Sequence, residues 1–163
     1  MLTFLLLGAN LGDRVATLSR AVQRISEIVG VVVQQSHIYE TAPWGVLEQP
    51  AFLNQVLAVD TQLEPDAVLT QTQRIERELG RVRLEKWGAR MIDIDILYYD
   101  QRIVKTNQLT IPHPYLHQRR FTLMPLAEIS PDFRHPVLGK TTTELLTECP
   151  DTGEVTIFNS SSI

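Results

Sequence analysis

The chain has 163 residues, 44% of them hydrophobic and 21% charged, with a formal net charge of −4. That length suits one domain over residues 1–163, and the charge balance excludes the pervasive positive field of a general nucleic-acid coat. A lone cysteine, Cys149, excludes an intrachain disulfide or thiolate metal cluster, and no apolar run is long enough to span a membrane, so a cytoplasmic, soluble protein is expected.

Leu2 to Leu7 reads as a buried strand. The Gly-Ala-Asn-Leu-Gly run after it lacks the lysine and spacing of a phosphate loop, so it predicts a tight turn into a helix whose N-terminus Asp13 favours. Val15, Leu18, Val22, Ile25 and Val29 form the apolar stripe of that helix, and Gly30 ends it. Val31 to Tyr39 is a second strand, and Thr41 to Pro50, with Pro43, Gly45 and Pro50, is a loop. Phe52 to Asp60 alternates as a third strand, with Phe52, Asn54, Val56 and Ala58 on one face and Leu53, Leu57 and Val59 on the other. Pro65 suits the first turn of a second helix, which turns Val68, Leu69, Thr72, Ile75 and Leu79 inward and ends at Gly80. Ile92 to Tyr99 is the fourth strand, with Asp100 and Gln101 turning a hairpin into Arg102 to Val104. Short helices are expected at Phe121 to Glu128 and Thr141 to Thr147, before a polar, frayed tail from Asn159 to Ser162.

Strand–helix–strand–strand–helix–strand is the order of an α+β, ferredoxin-like split βαβ sandwich. It predicts a mixed or antiparallel sheet with two helices on one face. The other face needs cover from later segments or stays open to ligands.

Three groups of residues carry chemistry. Asp93 and Asp95 alternate with Ile92, Ile94 and Ile96, so both carboxylates share one strand face. Acids so placed either mark an exposed edge or hold a divalent cation that offsets their repulsion. Just before them Arg81, Arg83, Lys86 and Arg90 crowd a loop containing Trp87 and Gly88. A helix end attracts cations, but it does not call for the indole; a mobile basic loop closing over a phosphate and a planar ring accounts for both. Phe52 and Asn54 set a flat apolar surface beside an amide able to donate and accept, although for each residue alone a core Phe and a loop-capping Asn are the commoner reading. Together the acids and arginines point to magnesium-dependent nucleotide chemistry. A regulatory ligand-binding module and a metal-dependent nuclease remain the readings from other classes.

The motifs GANLG at 8–12, YETAPWG at 39–45, QPAFLN at 49–54, TQRIE at 72–76, GRVR at 80–83, WGARMIDID at 87–95 and LTIPHP at 109–114 occur in a familiar order. From about residue 2 to Leu126 the chain resembles the 6-hydroxymethyl-7,8-dihydropterin pyrophosphokinases of folate biosynthesis; its last thirty or so residues add little to that likeness. The resemblance implies a ferredoxin-like fold and transfer of the β,γ-diphosphate of ATP to the pterin hydroxymethyl group, releasing AMP. It implies that Asp93 and Asp95 hold two Mg²⁺ ions and that Arg81 and Arg90 act in catalysis. It further implies that Phe52 and Phe121 sandwich the pterin, Thr41 and Asn54 bond its edge, and Ala42, Trp44, Trp87 and Asp93 complete the pocket. On the ATP side it implies Gln73, Glu76, Arg81, Arg83, Trp87, Arg90, Ile96, Thr110, His113 and Arg119. The partners implied are ATP and the pterin alone, without nucleic acid or membrane, acting on a monomer. The chain departs from the family pattern where Phe52 replaces a tyrosine of some members, Ala89 a proline, and Gln108 an arginine. The loop before Trp87 is a residue shorter, which leaves the match of Lys86 open.

Overall fold

Residues 1–41, 51–80 and 91–159 are described by the structure, a computed structural model. Strand β1 (Leu2–Ala9) is apolar on both sides because both are covered: Leu5, Leu7 and Ala9 face one core, Phe4 and Leu6 a second. At the turn that follows, Gly12 adopts φ 63°, a conformation open to glycine without a steric penalty. Asp13 then caps α1 (Arg14–Ile28), its carboxylate accepting the Ala16 N–H at 3.1 Å. The buried face of α1 is Thr17, Leu18, Ala21 and Ile25, rotated from the predicted stripe so that Val15 is 36% exposed. Thr17 can turn inward because its hydroxyl donates to the Asp13 carbonyl at 2.9 Å, leaving no unmet donor in the core.

One strand was expected over Val31 to Tyr39; the chain instead makes β2 (Gly30–Gln35) and β3 (Tyr39–Thr41). Ser36 makes the break. Its Oγ accepts the Val56 N–H at 3.0 Å and its own N–H donates to the Val56 carbonyl at 2.9 Å, so a side chain enters the ladder where a main-chain carbonyl would stand. Strand β4 (Phe52–Thr61) and helix α2 (Pro65–Gly80) follow the sequence closely, α2 burying Val68, Thr72, Ile75 and Leu79. Strand β5 (Asp93–Tyr99) pairs with β1.

The sheet is antiparallel throughout the described pairings: β1 lies between β5 and β4, and both β2 and β3 pair with the far edge of β4. This is the ferredoxin-like strand order. Helices α1 and α2 cover the face bearing Leu5, Leu57, Ile94 and Ile96.

Beyond β5 the chain departs from expectation. Asp100 turns the chain at φ 46°, but β6 (Val104–Lys105) pairs with β7 (Thr110–Ile111) rather than with β5. The outer edge of β5 is already taken: Glu76 of α2 accepts the Ile94 N–H at 2.8 Å, and the His113 N–H donates to the Leu97 carbonyl at 3.0 Å. Leu97 itself is a bulge, since Phe4 pairs with Tyr98 and Leu5 with Ile96. It therefore joins Tyr98 in the second core while Tyr99 returns to the first.

Helices α3 (Arg120–Ile129) and α4 (Thr142–Glu148) are each close to their predicted spans, and the latter starts on a Thr141–Glu144 capping box. With Leu116 of the short 3-10 turn before α3, they cover the second face through Leu123, Leu126 and Leu145 against Phe4, Leu6, Val56 and Ala58. A final strand, β8 (Val155–Ile157), not among the strands expected from the sequence, pairs with β3; the polar tail after Asn159 lies outside the described residues. No helix among the described residues is long and apolar enough to cross a membrane.

Candidate active site

Cross-strand register, not sequence distance, gathers the site. Thr41 of β3 stands opposite Phe52 of β4, and Asn54 stands opposite both Tyr39 and Gly8. Gly8 in turn faces Asp93, and Leu6, one row inward, faces Asp95. Directly opposed residues share a sheet face. Thr41, Phe52, Asn54, Asp93 and Asp95 therefore lie on the second face, at the end of the sheet where β3 finishes and β4 and β5 begin. The α3 and α4 cover lies over the Phe4–Ala58–Tyr98 row and reaches Leu6 and Val56, the row that ends at Asp95.

Two polar groups here have unused hydrogen-bonding capacity. The Thr41 hydroxyl oxygen is buried with no hydrogen-bond partner among the described residues. Asn54 is 4% exposed, and its side-chain oxygen lies 3.4 Å from where a Cβ on Gly8 would be. A side chain on Gly8 would fill the floor beside that amide. Phe52, next to both, is exposed. An exposed ring flanked by an open hydroxyl and an amide is suited to a flat, heteroatom-rich molecule.

The carboxylates follow along the same face, Asp93 exposed and Asp95 partly so. The Glu76 contact to Ile94 fixes the backbone between them, so α2 sets the spacing of the pair. Among the described residues no cluster of three or more His, Cys, Asp or Glu gathers as a metal cage. Two hard oxygen donors on an open face fit magnesium, which takes one or two carboxylates and completes its shell from phosphate and water.

His113 stands beside the pair, its Nε2 4.0 Å from Asp95 Oδ2. Its Nδ1 accepts the Tyr115 N–H at 3.2 Å, so the neutral ring carries its proton on Nε2, towards Asp95. Burial pulls His113 below the usual histidine value against the upward pull of Asp95, and nearby Arg119 adds to the lowering. The Arg119 guanidinium carbon lies 5.1 Å from the centre of the Tyr115 ring and 5.7 Å from that of Phe121. The start of α3, which bears Phe121, is held by Asp151, whose carboxylate accepts the Arg120 N–H at 3.1 Å.

Thr110 opens β7, which adjoins β5; Gln73 is exposed on α2, three positions before Glu76. Ile96 is a buried core side chain on the opposite face from Asp95, so only its backbone is left for a ligand. Since the Ile94 N–H turns outward to Glu76, Ile96 two residues on turns its backbone to the same outer edge. Ala42, Trp44, Arg81, Arg83, Lys86, Trp87, Ala89 and Arg90 lie outside the described residues. Gln108 lies exposed in the turn of the β6–β7 ribbon. The sequence placed Gly8 in the turn motif GANLG rather than in the site, and did not single out Tyr115 or Asp151. Gly8 was legible as a glycine inside an otherwise apolar strand, whereas the other two carry no local signal.

A family model described as 7,8-dihydro-6-hydroxymethylpterin-pyrophosphokinase matches residues 4–131. The chain belongs to that family. Among similar proteins, the 2-amino-4-hydroxy-6-hydroxymethyldihydropteridine pyrophosphokinase of Methylorubrum extorquens is 42% identical over 151 residues, covering 92% of this chain and 94% of its own. The Aquifex aeolicus protein of the same name is 40% identical over 137 residues, covering 84% of this chain and 85% of its own. In fold the chain resembles the solved Plasmodium falciparum HPPK-DHPS, with a TM-score of 0.74 over 90% of this chain and 44% of that one, at 18% identity. The chain thus spans less than half of that solved protein.

Proposed function

We infer that the chain performs the reaction its family is named for, moving the β,γ-diphosphate of ATP onto the hydroxymethyl oxygen of 6-hydroxymethyl-7,8-dihydropterin and releasing AMP. The observation that carries this reading is the row Thr41–Phe52–Asn54 leading to Asp93 and Asp95: ring surface, open polar groups and paired carboxylates on one face. The pterin ring would lie between Phe52 and Phe121, its polar edge meeting the Asn54 amide and the Thr41 hydroxyl, with Ala42, Trp44 and Trp87 closing the pocket. Arg119 lies over the Phe121 ring, 5.7 Å from its centre.

The pterin hydroxyl oxygen attacks the β-phosphorus in line and gives up its proton to solvent; the bond from that phosphorus to the bridging oxygen breaks, and the bridging oxygen departs on AMP. Two Mg²⁺ ions, held by Asp93 and Asp95, would neutralise phosphate charge and lower the pKa of the pterin hydroxyl. His113, with its proton on Nε2, donates to a phosphate oxygen beside Asp95, and Arg119 adds charge-assisted bonds. Arg81 and Arg90 bring further guanidinium groups to the transferring diphosphate, excluding the water that would hydrolyse ATP. Gln73, Glu76, Arg83, Thr110 and the backbone of Ile96 complete the nucleotide side, along the outer edge of β5. The reading includes a monomer working in the cytoplasm, with the two small molecules as its only partners.

The test is AMP formation. Wild type should release AMP only when both pterin and magnesium are present. Asp95→Ala should lose on the order of 10²–10³-fold in turnover, with circular dichroism and melting temperature unchanged because Asp95 is no core residue. Normal transfer by that variant would remove the carboxylate assignment. A regulatory module would bind pterin and yield no AMP, and a nuclease would cut oligonucleotides instead.

A further inference from the structure

Arg119 is held in an unusual way. Two aromatic rings, Tyr115 and Phe121, lie near its guanidinium at 5.1 and 5.7 Å. Among the described residues its side chain makes no hydrogen bond. Stacking uses the faces of a guanidinium and leaves its in-plane N–H donors pointing outward. A cation held against two rings with no hydrogen bond spent among the described residues keeps its N–H donors for an anion, and Asp95 and His113 place the nucleotide phosphates of the proposed reaction next to it.

One of the two supporting rings has no role in the core. Tyr115 is 52% exposed, its hydroxyl makes no hydrogen bond among the described residues, and its ring also lies 6.1 Å from that of His113. Its backbone N–H meanwhile holds His113 Nδ1. The same residue therefore touches both phosphate-facing groups, one through its main chain and one through its ring.

We propose that Tyr115 is a positioning residue for ATP: its ring keeps Arg119 from sampling other rotamers, so that the guanidinium edge already faces the phosphates when nucleotide arrives. The inference rests on the reading of Arg119 as a nucleotide ligand. Tyr115→Ala keeps the N–H to His113 and removes only the ring. Loss of a partly exposed cation–π support should raise the KM for ATP roughly two- to fivefold, with kcat and the pterin KM unchanged. Tyr115→Phe, which keeps the ring, should restore the wild-type value. In the Arg119→Ala background, Tyr115→Ala should add nothing further.

Steady-state kinetics on these four variants separates the possible failures. Arg119→Ala with an unaltered ATP KM would remove the nucleotide reading and this inference with it. A raised KM in Arg119→Ala beside a wild-type Tyr115→Ala would leave that reading intact and overturn the positioning role alone. Failure of Tyr115→Phe to rescue, or additive losses in the double variant, would also overturn it.

Discussion

Asn54 is 4% exposed on β4 beside Gly8, and its side chain makes no hydrogen bond among the described residues. A side-chain amide with no protein partner contributes little to the fold and is available to a ligand. Asn54→Leu is therefore expected to leave the thermal midpoint unchanged or higher while raising the KM for pterin about tenfold, the worth of one or two lost hydrogen bonds. A thermal melt run beside pterin titrations checks both halves. Lower stability with an unchanged KM would make Asn54 a structural residue. The buried Thr41 hydroxyl oxygen also has no partner among the described residues, and Thr41 and Asn54 both flank the exposed ring of Phe52. At this scale the pterin side of the site is a set of polar valences the protein leaves open.

The edge of the sheet shows how an element is shaped to serve them. Ser36 interrupts what would be one strand, and three donors at this break converge on one carboxylate of α3: Glu128 takes the His37 N–H, the His37 ring nitrogen and the Tyr39 hydroxyl, the last at 2.8 Å. Thr41 lies at the far end of the short strand so braced, and Phe121 lies one residue into α3. The break thus fixes two pterin-side residues relative to each other. Ser36→Ala strips the acceptor from the buried Val56 N–H, and urea denaturation should show a loss of roughly 1–3 kcal/mol, the cost of an orphaned buried donor. An undiminished unfolding midpoint would mean that the ladder does not depend on that hydroxyl.

Across the whole molecule, the second face of the sheet is divided. One end is sealed by α3 and α4 around Phe4, Ala58 and Tyr98, and the carboxylates stand towards the other. His135 lies in the sealed half, 5% exposed, its Nδ1 accepting the N–H groups of Val137 and Leu138 at 3.1 and 3.0 Å. Burial, with His117 adding to it, pulls this ring below its ordinary value of 6.5. A depressed histidine stays neutral in the fold while the unfolded chain takes up the proton first, so stability is full above 6.5 and declines as pH falls below it. His135→Asn retains an acceptor for the two N–H groups and removes the titration. Urea midpoints at about pH 8 and about pH 5 should differ less in this variant than in wild type. Equal differences would place the acid sensitivity elsewhere.

The sequence by itself determined where the two long helices and strands β1, β4 and β5 lie and which face of α2, β4 and β5 is apolar, because those depend on period. The alternation of Phe52, Asn54, Val56 and Ala58, and of Asp93 and Asp95 with their isoleucines, carries over into β4 and β5. The family was legible as well, since its motifs are contiguous runs of residues. The tertiary structure decided what no period encodes: that Ser36 would enter the ladder, that β6 would pair with β7 on finding the edge of β5 occupied, and that β8 would return to β3. It alone brought His113 to Asp95 and set Arg119 between Tyr115 and Phe121. The reason is physical: a side chain's own alternation states which way it points, whereas its neighbour across a sheet is chosen by competition among every edge and donor the chain offers.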